Sequence, residues 1–236
     1  MKLHRYYVSD MVLEHDFWMK DEALFHQWTI VLRYQVDREL VLFNNQKDEK
    51  LYKIVKIGDN AVHLELVTEM VAKTPEKELY LCFSLLKKDK NDWILQKGTE
   101  LGVRHFIPLL ATNCERSNLS QNMVERWQKI VIEAAEQCER SDIPKIREPM
   151  RSESVINELS GKVDLYVAEQ GSPQISDIKY QNSQPIAVLI GPEGGWSDAE
   201  KQLFTDNGLN HISLSEFTLR AETAAITAAA LIGAMK

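Results

Sequence analysis

The stretch LIGPEGGWSDAEKQLF, Leu189 to Phe204, runs from an apolar segment through a glycine-rich turn into a segment with helical spacing. Its apolar start belongs to IAVLIG, residues 186–191, a run short and uniform enough for a strand buried on both faces. Gly191, Gly194 and Gly195 permit positive φ and close approach to the backbone, and Ser197 with Glu200 has the spacing of a capping box. The stretch therefore predicts a strand, a tight turn and a fresh helix. Glu193 is the odd residue, because phosphate-binding turns of this kind do not usually carry a carboxylate.

Outward from this turn, the second part of the chain alternates apolar runs with helical patterns. LYLCFSLL (79–86), FIPLLA (106–111), VDLYVAE (163–169), IAVLIG and ISLS (212–215) read as strands. NDWILQKGTELGV (91–103) reads as a helix started by Asn91 or Asp92 and ended at Gly102. In the next helix Met123, Trp127, Ile130, Val131, Ala134, Ala135 and Cys138 share a stripe, with Asn122 and Glu125 spaced as a capping box. Such alternation predicts an α/β fold built on a parallel sheet. From Arg5 to about Val71 the pattern is instead short β-prone runs, RYYV, WTIVLRY, ELVLFNN, LYKIVKI and AVHLELV, as in a small barrel. The polar, proline-containing KTPEKE (73–78) is the linker candidate.

The composition narrows the function classes. Across 236 residues, 44% are hydrophobic, enough for ordinary cores, and no apolar run approaches the roughly 18 residues needed to cross a membrane. The start MKLHRYYVSDMVLEHDFW lacks the layout of a secretory signal, so a cytoplasmic protein is expected. Cys82, Cys114 and Cys138 are far apart and never in a CxxC pair, which predicts neither a disulfide framework nor a metal site. A net charge of -7 opposes whole-surface attraction to nucleic acid, so any RNA contact must use a local basic patch. Arg5, Arg33, Lys53, Lys56, Lys87 to Lys90, Lys97, Arg104, Arg116 and Arg140 are the available pieces.

The turn's own chemistry disfavours phosphate. A capping box occupies amides at the helix start, Asp198 adds negative charge there, and the GxxxxGK[ST] lysine is absent. A ligand that is neutral or cationic at its reactive end suits the turn better, and S-adenosylmethionine, with its sulfonium, is such a ligand. The residues alone leave open that GPEGG is only a tight connection. The second constellation is LRAETAAITAAA (219–230), where Arg220 and Glu222 stand at the start of an alanine-rich helix. A cation is unfavourable at that end, so Arg220 is expected to meet a carboxylate or an anionic ligand.

These segments, with LQKGTELGV, ERSN, RWQKIVIEAAEQCERSDIPKI, HRYYV and VLRY, resemble in order and spacing the bacterial 16S ribosomal RNA uridine-N3 methyltransferases of the SPOUT class, over nearly the whole chain. The resemblance implies a PUA-like RNA-binding β-barrel over residues 1–71. It implies a SPOUT α/β methyltransferase domain with a C-terminal trefoil knot over 72–236. It implies a homodimer that uses S-adenosyl-L-methionine, without metal or membrane, on 16S ribosomal RNA or the small ribosomal subunit. Carried onto this sequence, the cofactor would meet Ala168, Glu169, Ile190, Gly191, Gly195, Leu214, Ser215, Leu219 and Arg220, and RNA would meet Arg5, Arg33, Arg116 and Arg140. Arg220 would stabilise the uracil anion, with Glu193 or Glu222 taking the proton or orienting the arginine. Ser215-Glu216-Phe217 departs from the family's usual Gly-x-Arg turn, and Gly98 stands in a helix where alanine or threonine is usual. A non-catalytic RNA-binding assembly factor is the alternative from another class.

Overall fold

A computed structural model describes residues 3–46, 48–87, 89–114, 119–177 and 184–235. By internal contacts the chain divides into residues 1–74 with 135–142, and residues 75–134 with 143–236.

In the first unit β1 (Arg5–Tyr7), β2 (Asp16–Met19), β3 (Glu39–Phe43), β4 (Glu49–Ile57) and β5 (Val62–Glu69) form one sheet in the order β1-β3-β4-β5-β2. The β1–β3 pair is parallel and the others antiparallel. Alternate residues Leu40, Leu42, Tyr52, Ile54, Val62 and Leu64 turn into a core closed by Trp28. A strand over WTIVLRY is not what forms. Residues Glu22–His26 are α1, continued by a π-helical turn, Gln27–Val31. The Asp21 carboxylate caps the Leu24 amide at 2.8 Å, and Thr29 Oγ1 donates to the Phe25 carbonyl at 2.7 Å. Burying Trp28 leaves Ile30 and Val31 in solvent, so a β-branched run that looks like a strand is mostly exposed helix.

Residues 135–142 join this unit through a buried polar cluster. Arg5 pairs with Glu49, Ser141 Oγ donates to the same carboxylate, and a second Arg5 nitrogen lies 3.4 Å from the Arg140 carbonyl. Arg140 forks onto Asp142 at 3.0 and 2.7 Å, and the Tyr7 amide donates to Glu136 at 2.9 Å.

The second unit holds β6 (Leu79–Ser84), β7 (His105–Leu109), β8 (Lys145–Ile146), β9 (Asp164–Ala168), β10 (Ile186–Ile190) and β11 (Asn210–Ile212). They lie in the order β11-β9-β10-β6-β7-β8, and every neighbouring pair is parallel. One face meets α2 (Lys90–Glu100), α3 (Gln121–Cys138) and α6 (Ala221–Ala234); the other meets α4 (Ser152–Leu159) and α5 (Asp198–Asp206). Leu81 and Phe83 face the first layer while Cys82 faces the second, so β6 is apolar throughout because both its faces are covered. The last strand ends at Ile212; Ser213 makes only a bridge to Gln174, so ISLS is mostly loop.

Helix ends depart from the sequence reading in two places. Asn91 does not cap α2: its side chain bonds both the amide and the carbonyl of Leu86, at 3.0 and 2.8 Å, and so fixes the preceding turn. Asp92 instead accepts from Arg126 and from Trp127 Nε1. At the start of α3, Ser120 Oγ rather than Asn122 takes an amide, from Met123. Gly102 has φ +87°, as a left-handed helix terminator should.

Gly98 has a steric reason. A Cβ there would stand 2.7 Å from the ring of Phe106, which is fully buried against Phe83. Gly98→Ala therefore loses more to overpacking than the roughly 1 kcal/mol it gains in helix propensity, and denaturant titration should show a net loss of about 1–2 kcal/mol. Adding Phe106→Leu should recover part of it; a stabilising single variant would contradict the packing. Glu49→Ala strands a buried guanidinium and should cost about 3–5 kcal/mol in the same assay.

Candidate active site

The carboxyl ends of β9, β10 and β11 open into a cavity of about 550 Å³ within the second unit. This is where an open parallel sheet leaves backbone groups free for ligands. Its walls come from the ends of those strands and the turns after them, Ala168 to Gln170, Ile190 to Glu193 with Gly195 and Trp196, and Ser213 to Ser215, together with Lys201, Phe217 to Ala221 and Ala224.

The Gly191 turn is shaped by Trp196. A Cβ on Gly191 would lie 3.0 Å from the indole, so glycine lets the ring fold under the strand end without crowding. Trp196 Nε1 donates to the Ala168 carbonyl at 3.3 Å, and its ring packs edge-on against Phe204. Gly195 has φ +70° and open space where a Cβ would be. The capping box forms as its spacing predicts: Ser197 Oγ accepts from the Glu200 amide at 3.3 Å, and Glu200 accepts from the Ser197 amide at 2.9 Å. The other Glu200 oxygen accepts from the Thr112 amide at 3.1 Å, which ties the helix start to the segment after β7.

The charges around the cavity are mostly paired. Lys90 Nζ sits 2.8 Å from Glu193 and 3.4 Å from Glu222, bridging the glycine turn and the start of α6. The hydrogen bond from Lys90 holds the Glu193 carboxyl below its usual range, against some burial. Glu169 takes Lys201 at 3.0 Å and His211 at 2.8 Å. Burial pushes its pKa up, but those two hydrogen bonds outweigh it and the carboxyl ends below its ordinary value. Arg220 is the exception: it is exposed in the N-cap position of α6, and no side-chain carboxylate pairs with it among the described residues.

The structure thus brings Ala168, Glu169, Ile190, Gly191, Glu193, Gly195, Leu214, Ser215, Leu219 and Arg220 around one cavity. Glu222 stands just behind it, half-buried beside Lys90. In the first unit Arg33 is exposed, with φ +51°. Arg5 and Arg140, expected on an RNA-facing surface, are instead 7% and 6% exposed and held by internal partners. Arg116 lies outside the described residues. Lys201 and Trp196 were not singled out by sequence, Lys90 was named only as part of a basic run, and Phe217 only as part of a departing turn. For Lys90 a signal existed: a cation at a helix start needs a carboxylate nearby, and the turn supplies one.

Comparison with known proteins gives this geometry a relationship. Residues 73–233 match the model of RNA methyltransferase domains. The chain is 31% identical over 237 residues to ribosomal RNA small subunit methyltransferase E of Rickettsia conorii, covering 98% of this chain and 96% of that one. It is 30% identical over 209 residues to the protein of that name from Aquifex aeolicus, covering 86% and 88%. A methyltransferase structure from Legionella pneumophila with bound SAM superposes with a TM-score of 0.87 at 28% identity, covering 99% of this chain and 98% of that one. Ribosomal RNA small subunit methyltransferase E of Neisseria gonorrhoeae, bound to S-adenosyl methionine, shares the fold with a TM-score of 0.89 at 23% identity, over 98% and 97% of the chains. With both the family match and the relatives spanning its length, this chain belongs to the RNA methyltransferase family.

Proposed function

We propose that this protein transfers a methyl group from S-adenosyl-L-methionine to N3 of a uridine in 16S ribosomal RNA. The observation that carries the reading is the cavity at the ends of β9, β10 and β11, closed by the Gly191–Trp196 turn, in a chain of this family. The lining suits the cofactor. Ile190, Leu214, Leu219 and Ala224 offer apolar surface for a nucleoside, and the glycines let backbone amides approach it. The Glu169 and Glu193 carboxylates balance the lysines beside them, so the strand-end wall offers a phosphate no net positive charge.

When bound, S-adenosylmethionine supplies an electrophilic methyl carbon on a positively charged sulfur. The protein's task is to align that carbon with N3 and to favour the uracil anion left when the N3 proton departs. Arg220 fits the second role, since its guanidinium is exposed at the cavity rim and, among the described residues, no side-chain carboxylate neutralises it. Glu193 is a weaker base than an ordinary carboxylate while Lys90 holds it, so the reading gives Glu193 and Glu222 an orienting role at the turn and sends the proton to solvent.

The reading includes a PUA-like barrel over the first unit, with the exposed Arg33 among its RNA contacts, and a C-terminal trefoil knot. Support for the knot comes from Ser213, whose amide donates to Pro173 at 2.8 Å while its carbonyl accepts from Ile175 at 3.0 Å. From there the chain returns as α6 to pack on β6 and β10. A homodimer acting on ribosomal RNA in the cytoplasm completes it. No helix among the described residues is long and apolar enough to cross a membrane.

Calorimetric titration with S-adenosylmethionine should show one saturable site; no binding would leave an RNA-binding factor instead. Arg220→Ala should keep the fold and slow methyl transfer to small ribosomal subunits from cells lacking the gene on the order of 10²-fold, with wild-type rates removing Arg220 from the site. Glu193→Gln should leave the pH dependence of the rate unchanged between roughly pH 6 and 8, because a carboxyl held low stays ionised across that range. A lost inflection in that variant would return Glu193 to the role of base.

A further inference from the structure

Among the described residues, Phe217 is the one large apolar side chain that both lines the cavity and lies mostly in solvent, at 78% exposed. A single exposed apolar side chain is ordinary on a protein surface, but an aromatic ring at the mouth of a ligand cavity is placed to meet what enters there. The loop that carries it is held in place. Ser213 Oγ donates to the Ser215 carbonyl at 2.9 Å, the Phe217 amide donates to Ser215 Oγ at 3.1 Å, and Thr218 Oγ1 donates to Gln170. The ring is therefore presented from a fixed backbone on the same short segment that ends at Arg220.

We propose that Phe217 is the stacking platform for the target base, so that the pyrimidine extruded from the RNA lies on its ring while Arg220 meets the pyrimidine's developing negative charge. This rests on the methyl-transfer reading above and adds the residue that would hold the acceptor. Three features favour a base over other occupants. A flat apolar ring offers no partner to a phosphate, and the exposed Glu216 beside it repels one. Leu214, Leu219 and Ile190 already furnish apolar wall for a nucleoside inside the cavity, whereas Phe217 keeps its surface toward solvent, where RNA arrives. An extruded base also needs an aromatic partner to replace the stacking it loses, and every base has a face for one.

The test measures methyl transfer to small ribosomal subunits purified from cells lacking the gene, with wild type, Phe217→Ala, Phe217→Leu and Phe217→Trp, alongside calorimetric affinity for S-adenosylmethionine. Phe217→Ala should raise KM for the subunit by roughly ten- to a hundredfold, the size of one base–aromatic stack, with cofactor affinity unchanged. Phe217→Trp should stay near wild type and Phe217→Leu should follow the alanine variant. Leucine performing as well as tryptophan would mean apolar packing rather than stacking and would overturn the proposal. So would an unchanged KM in Phe217→Ala, or a loss of cofactor affinity, which would make Phe217 part of the cofactor wall. A wild-type protein that transfers no methyl group overturns the functional reading and this inference together, whereas an active wild type with an indifferent Phe217→Ala overturns only the stacking.

Discussion

The indole of Trp196 packs closely against Gly191, where a Cβ would crowd it at 3.0 Å, and the cavity wall depends on that close approach. Because position 191 has no Cβ, the ring can tuck beneath the end of β10, and its nitrogen can reach the carbonyl that ends β9. Two strand ends are thereby locked in register around the space between them. The capping box that follows satisfies the start of α5 with protein groups, and Glu200 reaches back to Thr112. A turn that would otherwise be a loose anion trap becomes a rigid wall whose free donors are few.

Charge is arranged around this wall in a consistent way. Glu193, the residue that argues against phosphate, is neutralised by Lys90, and the same lysine leans toward Glu222 at the start of α6. Glu169 is likewise held between Lys201 and His211. Each carboxylate is thus held in place and balanced by a lysine. Among the described residues Arg220 has no comparable side-chain partner, and it stands exposed at the cavity. The contrast between paired carboxylates and an exposed arginine is what the proposed division between orienting groups and the group that meets the substrate rests on.

The first unit uses polarity differently. Arg5, Glu49, Arg140 and Ser141 form a buried cluster whose parts are more than a hundred residues apart in the chain for Arg5 and Ser141. Once formed, such a cluster is costly to break because any one deletion leaves a desolvated charge behind. It also explains why two arginines that look like RNA ligands in sequence are structural. An isolated arginine in a sequence carries no sign of which way it points.

What the sequence determined by itself was governed by local physics. Short doubly apolar runs such as 79–86 and 186–191, bounded by turn residues, read as strands covered on both faces, and β6 and β10 form within them. The Ser197–Glu200 spacing encodes its own cap, and Gly102 its own helix stop. The glycine turn and the position of Arg220 were legible for the same reason, whereas the departure at Ser215 to Phe217 showed only through the resemblance. What only the tertiary structure decided involved partners distant in sequence. WTIVLRY has strand propensity, yet Asp21 caps a helix and the core claims Trp28, so packing overrides preference. Asn91 is drawn away from capping by the Leu86 backbone, and Gly98 is dictated by a phenylalanine on the neighbouring strand. The pairing of Lys90 with Glu193 joins residues 103 positions apart, a distance over which neither spacing nor propensity carries information.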